Sequence, residues 1–273
     1  MSDEMKKAGG VLLTNDDGVD SPGLLAAAEA LSPLARLRIV APMNQQTAMG
    51  RAKTGNPEAT LLPKLLTVGG QAVPAYACDA SPAAAVGHGL SVMAGDTPNL
   101  VVSGINYGEN LGANVTSSGT VGAAMEAACC GIPSIAISLE TAIGTHYAYT
   151  EQEWTAAIYF LRYFAQIVLK RGLPPDVHIL KIDVPRIATP ETPWRLTTLS
   201  SWRHYQSRLE DPTLDSRLRD ARVIKASNPN EAKETDVYAL SVDNVVSVTP
   251  LTLDLTSRTA FGSIHSWLTE GLS

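Results

Sequence analysis

The fold of this chain is decided by residues 11–42, which read VLLTNDDGVDSPGLLAAAEALSPLARLRIVAP. The apolar run at 11–14 leads into Asn-Asp-Asp-Gly, which is typical of a buried strand followed by a loop. Ser21-Pro22 then supplies an N-cap and a first helical residue for an Ala/Leu-rich helix that ends near Leu31. A second apolar run follows at 37–41. A strand, a helix and a strand within about 30 residues predict a βαβ unit.

The same alternation continues as far as residue 185. A polar, aperiodic loop is predicted over 43–63. Later apolar runs and Ala-rich or amphipathic segments predict strands at 65–68, 72–77, 100–103, 135–138 and 177–182 and helices at 79–90, 119–130 and 150–170. We therefore expect an α/β fold in which a doubly wound, mostly parallel, Rossmann-like sheet forms a catalytic core over residues 1–185.

The pattern changes after Pro185, where an Arg-rich polar segment at 203–233 separates shorter apolar runs. We interpret residues 186–273 as an α+β extension packed on the core, with a hairpin or arm suited to pairing with another subunit. The expected strands and turn in this part are 194–199, 236–240 and a hairpin turn at Asp243-Asn244 that leads into 245–248.

Composition narrows the function classes. The 273 residues are 45% hydrophobic and 18% charged, as in an ordinary globular protein rather than a disordered chain. The net charge of −6 argues against binding of duplex nucleic acid through a basic surface. No run approaches the roughly 20 apolar residues of a membrane helix. The charged segment Met1–Lys7 does not resemble a signal peptide, so we expect a cytoplasmic protein that does not bind membranes.

The three cysteines are Cys78, Cys129 and Cys130. This odd number, with two residues adjacent, predicts free thiols in a reducing compartment, used mainly for buried packing rather than for disulfides or zinc.

Polar loops at predicted strand ends carry the residues that could perform chemistry. Ligands of open α/β sheets bind beyond the carboxyl ends of the strands, which should bring the loops at 15–18, 44–51 and 103–120 together. Adjacent Asp16 and Asp17 would repel each other unless they share a cation or a proton, and a hard divalent ion such as Mg²⁺ or Mn²⁺ would remove that repulsion. The alternative for this pair is ordinary cap and turn chemistry.

The predicted helix that begins near Ser118 opens with small residues, Ser-Gly-Thr-Val-Gly-Ala-Ala. Its free N–H groups could bind a phosphate, or Ser118 could simply cap a helix whose glycines serve packing. No P-loop, dinucleotide fingerprint or nucleophile elbow occurs at a suitable position. The histidines are scattered, and we interpret them as structural or surface residues: His88, His146, His178, His204 and His265.

Several of these stretches together resemble the SurE family of survival-protein 5′/3′-nucleotidases. They keep the family's order along the chain: LLTNDDGVDSPGL at 12–24, VAPMNQQTAMG at 40–50, SGINYGENLG at 103–112, SGTVGAAMEAACCGIPSIAIS at 118–138 and VSVTPLTLDLT at 246–256.

The resemblance implies roles for individual residues. The family's metal ligands correspond to Asp16, Asp17, Thr47 and Asn106, which would hold one divalent ion, Mg²⁺ or Mn²⁺. Its phosphate contacts correspond to Asn110, Ser118, Gly119 and Thr120. Thr47 stands where the family has a serine and Ala48 where it has a glycine. Ser117 replaces a usual aromatic residue, and 79–83 has lost the family's glycine and threonine, which bears on substrate preference.

The implied reaction is metal-assisted hydrolysis of nucleoside 5′- and 3′-monophosphates, as in a 5′-nucleotidase. In this hypothesis Asp16, Asp17 and Asn110 are catalytic: the aspartates hold the ion, Asp16 orients or deprotonates the attacking water, and Asn110 stabilises the phosphate charge. Two alternatives remain open from the sequence. One is a phosphotransferase that forms an aspartyl-phosphate on Asp16, and the other is a non-catalytic nucleotide- or metal-binding module.

Overall fold

The structure, a computed structural model, describes residues 9–146 and 148–270. The segment Met1–Lys7, for which the sequence predicts no signal peptide, lies outside the described residues. The helices are α1 (Pro22–Leu31), α2 (Pro82–Val92), α3 (Gly119–Cys129), α4 (Thr155–Arg171), α5 (Asp236–Ser241) and α6 (Phe261–Glu270). The strands are β1 (Val11–Thr14), β2 (Leu37–Pro42), β3 (Leu62–Val68), β4 (Gln71–Cys78), β5 (Leu100–Tyr107), β6 (Ser134–Leu139), β7 (Ile179–Val184), β8 (Trp194–Leu196), β9 (Tyr205–Arg208), β10 (Arg222–Lys225) and β11 (Val246–Leu251).

Within these ranges, one nine-stranded sheet has the order β3-β4-β2-β1-β5-β6-β7-β11-β8. Its central strands, from β4 to β7, are parallel, and antiparallel pairs occur where β3 meets β4 and where β11 meets β7. The predicted fold class, a doubly wound and mostly parallel α/β sheet, is confirmed. No helix in the described part of the chain is long and apolar enough to cross a membrane.

Helices cover both faces of the sheet, because alternate residues of each central strand point to opposite sides. Leu13 belongs to the hydrophobic cluster that includes buried residues of α1 and α4. Its neighbour Leu12 belongs to a second cluster with residues of α2 and α3. Both side chains are at most 1% exposed. The continuous apolar run of β1 is therefore the pattern of a strand buried on both faces.

The direction of chain winding reverses between β1 and β5. From β1 the chain moves to β2 and then β4 on one side, whereas β5, β6 and β7 follow in order on the other side. Loops that leave the carboxyl ends of β1 and β5 diverge there and open a crevice. Asp16 and Asp17 follow β1 after a single residue, Asn15, so the winding places them at this crevice.

Some predicted boundaries differ from the observed ones. The loop expected after residue 103 is still strand, since β5 continues to Tyr107 across an irregularity between Ser103 and Asn106. Helix α2 begins at Pro82 rather than at residue 79, and α4 begins at Thr155 rather than at residue 150. In both cases the polar residues predicted as the start of the helix belong to the preceding loop.

The strand predicted at 236–240 is wrong, because these residues form helix α5. The Thr235 hydroxyl accepts a hydrogen bond from the Tyr238 backbone nitrogen, which caps the helix. The hairpin turn predicted at Asp243-Asn244 is also wrong, since these residues join α5 to β11. Strand β11 instead pairs with β7 antiparallel and with β8 parallel. The Thr235 cap outweighed the strand preference of Val237 and Tyr238 in this short segment.

The part of the chain after Pro185 contributes to both sheets. Strands β8 and β11 extend the large sheet, whereas β9 and β10 form a separate antiparallel pair, hereafter the hairpin, with Ser207 opposite Val223. The division of the chain at residue 185 stays a prediction. Two of the cysteines also differ from expectation: Cys78 is buried, but Cys129 and Cys130 are exposed at the end of α3.

Helix α3 approaches the loop after β2 very closely at Gly122. A Cβ atom at this position would collide with the backbone carbonyl of Gly50 and would lie 2.7 Å from the Arg51 nitrogen. Only a residue without a side chain allows this approach. The contact brings the N-terminal end of α3 beside the loop that carries Thr47.

We expect Gly122→Ala to destabilise the protein by about 1–3 kcal/mol, because the new methyl group meets backbone that cannot move aside easily. Gly262→Ala in α6 is the matched control. A Cβ there meets nothing within 4 Å, so alanine should stabilise by about 0.5–1 kcal/mol. Urea denaturation of both variants measures the two effects. A stabilising Gly122→Ala would contradict the close approach.

Candidate active site

The turn after β1 is closed by Asn15. Its Nδ2 donates to the carbonyl oxygen of Gly18 at 3.0 Å, and its Oδ1 accepts from the Gly18 nitrogen at 3.2 Å. The turn chemistry of the Asn-Asp-Asp-Gly motif is thus supplied by Asn15. Asp16 and Asp17 are left for other contacts, although they are only 6% and 3% exposed.

Asp17 joins three segments of the crevice. Its Oδ2 accepts a hydrogen bond from the Tyr107 backbone nitrogen at 3.1 Å, and its Oδ1 accepts one from Gln45 Nε2 at 3.2 Å. The Tyr149 hydroxyl donates to the backbone carbonyl of Asp17. One carboxylate therefore connects the end of β1, the end of β5 and the loop after β2.

Asp16 faces the first turn of α3. Its Oδ1 accepts a hydrogen bond from the Thr120 hydroxyl at 2.6 Å. A Cβ on Gly119 would lie 2.7 Å from Asp16 Oδ2, so glycine permits the contact. Ser118 caps the helix by accepting from the Val121 nitrogen at 3.1 Å. Ser118 is thus an ordinary helix cap, and Gly119 allows Asp16 to approach the helix closely. Phosphate binding by the free N–H groups of this turn stays a prediction.

Asn110 is held at its backbone and at its side chain. Its nitrogen donates to Asp183 Oδ1 at 2.7 Å, and its carbonyl oxygen accepts from Lys181 Nζ at 2.9 Å. Its Nδ2 donates to Ser138 Oγ at 2.8 Å. Lys181 is 1% exposed and also pairs with Asp183 and, at 3.1 Å, with Asp236. A buried ion network on β7 therefore fixes the loop that presents Asn110.

The crevice is a cavity of about 230 Å³. This volume suits a small molecule rather than a folded macromolecule. Of the site residues predicted from the sequence, those that line it are Asp16, Asp17, Thr47, Asn106, Asn110 and Ser118. Gly119 and Thr120 lie behind this surface, in contact with Asp16. The Nδ2 of Asn106 donates to the Gly108 carbonyl at 2.7 Å, which leaves its Oδ1 as the atom able to bind a ligand.

The two adjacent carboxylates carry an uncompensated electrostatic cost. Burial raises the pKa of Asp16 to about 6, although the hydrogen bond from Thr120 acts in the opposite direction. Burial and then the charge of Asp16 raise the pKa of Asp17 well above its usual value. Among residues 9–146 and 148–270, no lysine, arginine or histidine forms an ion pair with either carboxylate.

These residues fit a divalent cation of the hard class. The described lining of the cavity contains the carboxylates of Asp16, Asp17 and Glu109 and no lysine or arginine. A phosphate dianion would be repelled from such a cavity unless a cation accompanied it. No group of three His, Cys, Asp or Glu side chains suited to a metal occurs in the described chain. The available donors are oxygens of two carboxylates, one amide and one hydroxyl, which favour Mg²⁺ or Mn²⁺ over zinc.

A family profile with the description Survival protein SurE matches residues 11–206. The chain belongs to the SurE family. A 5'-nucleotidase SurE from Thermococcus kodakarensis is 39% identical, over 94% of this chain and 98% of the relative. A 5'-nucleotidase SurE from Methanocella arvoryzae is 41% identical, over 90% of this chain and 93% of the relative. The family resemblance inferred from the sequence motifs is confirmed.

The SurE fold is shared as well. The crystal structure of the Sure protein from Aquifex aeolicus superimposes with a TM-score of 0.72 at 31% identity, over 94% of this chain and 98% of that chain. This likeness extends well beyond residue 206, so the shared architecture includes most of the part after Pro185.

Sequence reasoning missed the far side of the cavity. The lining residues that we did not predict include Glu109, Asn114, His146, Tyr205, Gln206, Ser207 and Val223. Most of them belong to the hairpin or contact it. The hairpin itself begins more than 90 residues after Asn114 along the chain. The sequence predicts a structural or surface role for His146, whereas the residue lines the cavity. No local pattern signals these residues, because only tertiary folding brings the hairpin to the cavity at the carboxyl ends of the strands.

Ala48 departs from the SurE pattern at a position where the backbone favours glycine. Its φ angle is 61°, in the left-handed region, and the residue is exposed. A Cβ atom in this conformation costs roughly 1–2 kcal/mol. The glycine expected from the family therefore has a conformational reason, and alanine keeps the same turn at a cost in stability.

We expect Ala48→Gly to raise the free energy of unfolding by about 1 kcal/mol, since glycine relieves the left-handed conformation. Ala52→Gly in the same loop is the matched control, because Ala52 is not among the residues with positive φ. That control should destabilise by about 0.4–1 kcal/mol through the larger entropy of the unfolded chain. Urea titrations give both values, and equal effects of the two variants would refute the argument.

Glu109 joins the hairpin to the core by charge. Its Oε1 lies 3.0 Å from His204 Nε2 and 2.6 Å from Lys225 Nζ. Burial alone would raise the pKa of Glu109, but the hydrogen bond from His204 and the charge and hydrogen bond of Lys225 outweigh it and lower the pKa to about 2. Because the folded pKa lies below the unfolded one, the carboxylate stabilises the fold above about pH 4.5 and loses this effect toward pH 2.

Replacement of Glu109 by glutamine should therefore reduce the free energy of unfolding at pH 7, by an amount on the order of 3 kcal/mol. The difference from the parent protein should shrink steadily as the pH falls from about 4.5 toward 2. Urea denaturation at a series of pH values measures this. A difference that stays constant across that range would show that the charge of Glu109 is not responsible.

Proposed function

We propose that this protein is a metal-dependent 5′-nucleotidase that hydrolyses nucleoside 5′- and 3′-monophosphates to nucleoside and phosphate. The observation that carries the proposal is the cavity itself, where two buried adjacent carboxylates have no cationic side chain of the described residues beside them. The activity in the names of the SurE relatives, at 39% and 41% identity, supports the same reaction.

The metal ion would be held by oxygen atoms of Asp16, Asp17, Thr47 and Asn106. When bound, it would offset the charge of the carboxylates and of the phosphate and would act as a Lewis acid. Thr47 retains the hydroxyl group of the serine that it replaces. The first turn of α3 is packed against Asp16 through Gly119 and Thr120, so these residues keep that carboxylate in place.

The chain's own groups would carry the remaining steps. Asp16 orients the attacking water and accepts its proton. The water oxygen bonds to phosphorus as the phosphorus–oxygen bond to the nucleoside breaks, and the nucleoside oxygen takes up a proton. Asn110 and Ser118 bind the phosphate oxygens, and the N-terminal end of α3 at Gly119 and Thr120 favours the developing negative charge.

The proposed assembly is a homodimer or homotetramer built through residues 186–273, acting in the cytoplasm. Helix α6 supports this, because no residue in it is buried even though several are large and apolar. Phe261, Trp267 and Leu268 are 73%, 75% and 58% exposed. Apolar side chains at such exposure favour coverage by another chain. Exposed, unpaired Cys129 and Cys130 agree with a reducing compartment.

Asp16→Asn and Asp17→Asn should each abolish hydrolysis of nucleoside monophosphates, assayed as a panel with Mn²⁺, Mg²⁺ and Co²⁺. In metal-free buffer, Asp17→Asn should melt at a higher temperature than the parent protein, because the repulsion between two buried carboxylates is gone. Added Mn²⁺ should raise the melting temperature of the parent protein but not that of the variant.

The matched control is Asp20→Asn, since Asp20 lies in the same segment but its side chain is 65% exposed and pairs with Lys64. This variant should keep both the activity and the response to Mn²⁺. Hydrolysis near the parent rate by both site variants would refute the assignment. Absence of hydrolysis by the parent protein, together with stabilisation by Mn²⁺, would indicate a binding module instead.

A further inference from the structure

The described lining of the cavity has two chemically different parts. One part consists of Asp16, Asp17 and the residues around them, which would bind the metal and the phosphate. The other part is one face of the hairpin. Tyr205 and Ser207 lie on this face because they are two residues apart in β9, and Val223 joins them as the partner of Ser207 across the pair.

We propose that this hairpin face, with Val223 at its centre, is the nucleoside-binding wall of the site and determines specificity for a nucleobase. The proposal rests on the proposed nucleotidase function. It assigns a binding surface to the nucleoside, whereas the carboxylates account only for the metal and the phosphate. The base and ribose lie against Tyr205, Ser207 and Val223 while the phosphate occupies the opposite end.

The hairpin is fixed to the core in the position that the proposal requires. Asn114, which follows the Asn110 loop, donates from Nδ2 to the Tyr205 carbonyl at 3.1 Å and accepts at Oδ1 from the Tyr205 nitrogen at 2.9 Å. Glu109 holds Lys225, the cross-strand partner of Tyr205. A wall that is held in place before binding loses little entropy when the substrate arrives.

The chemistry of this wall suits an uncharged, flat group. Val223 is 41% exposed although it is apolar, and the His146 and Tyr205 rings meet edge to face with centroids 5.6 Å apart. Such a surface can cover one face of a nucleobase, while the Ser207 hydroxyl offers a hydrogen bond to the base or the ribose.

A second phosphate group fits this wall poorly. The described lining of the cavity includes no lysine or arginine. The nearby Lys225 ammonium lies 2.6 Å from Glu109 and 3.0 Å from Glu140, so its charge is already neutralised. A chain of phosphates would therefore meet no free cationic side chain among the described lining residues. The wall therefore favours a nucleoside over a polyphosphate extension.

The test compares adenosine 5′-monophosphate with ribose 5-phosphate, which is the same ester without its base. In Val223→Asn, the ratio of kcat/KM for the nucleotide to kcat/KM for ribose 5-phosphate should fall about tenfold, through a higher KM for the nucleotide, because the base loses an apolar contact. The neutral substitution leaves the charge of the cavity unchanged. The kcat/KM for ribose 5-phosphate should fall much less than that for the nucleotide, because this ester has no base to lose the contact.

Two controls separate recognition of the base from general damage. Val223→Leu keeps an apolar wall and should keep the parent ratio. Val242→Asn makes the same exchange at a valine that is 55% exposed and lies outside the cavity, and it should also keep the ratio. Equal losses for both substrates in Val223→Asn, or no change in the ratio, would overturn the nucleoside wall while leaving the nucleotidase intact. If the parent protein hydrolyses neither ester, both proposals are wrong.

Discussion

The repulsion between two adjacent buried carboxylates is the constraint on which the rest of this site depends. Asp16 and Asp17 stand where the winding of the sheet reverses between β1 and β5, a place the fold leaves open by its topology. Each is held by donors from elsewhere in the fold, Thr120 for one and the Tyr107 nitrogen for the other. Neutral donors lower the cost of burying a carboxylate but do not cancel its charge, so the repulsion within the pair is relieved only by a cation or a proton.

The loops around this pair are held by charges that are themselves compensated. Lys181 is buried with Asp183 and Asp236 and fixes the backbone of Asn110, whereas Glu109 is buried with Lys225 and fixes the hairpin. Complete ion networks are costly to break and therefore rigid. The contrast separates two kinds of buried acid group. Those with a cationic partner position a loop, whereas Asp16 and Asp17 have no such partner among the described residues.

The sequence predicted much of the core because β1, α1 and β2 carry local signals, from the doubly buried apolar run to the Ser21 cap. It also predicted the residues of the carboxylate end, since they belong to short contiguous motifs. It failed at 236–240, where a six-residue helix has too few residues for its periodicity to stand out from that of a strand. It failed again at the hairpin, whose residues acquire a role only through contacts with distant segments.

What the sequence by itself determined is the alternating α/β order, the SurE motifs and the acidic pair, all of which depend on residues close together along the chain. What only the tertiary structure decided is that Asn15 makes the turn, that Ala48 occupies a left-handed conformation, and that the hairpin closes the cavity. The physical reason is that a side chain's charge state and accessibility depend on the neighbours it meets through folding. Those neighbours come from strands and loops that the sequence does not place side by side.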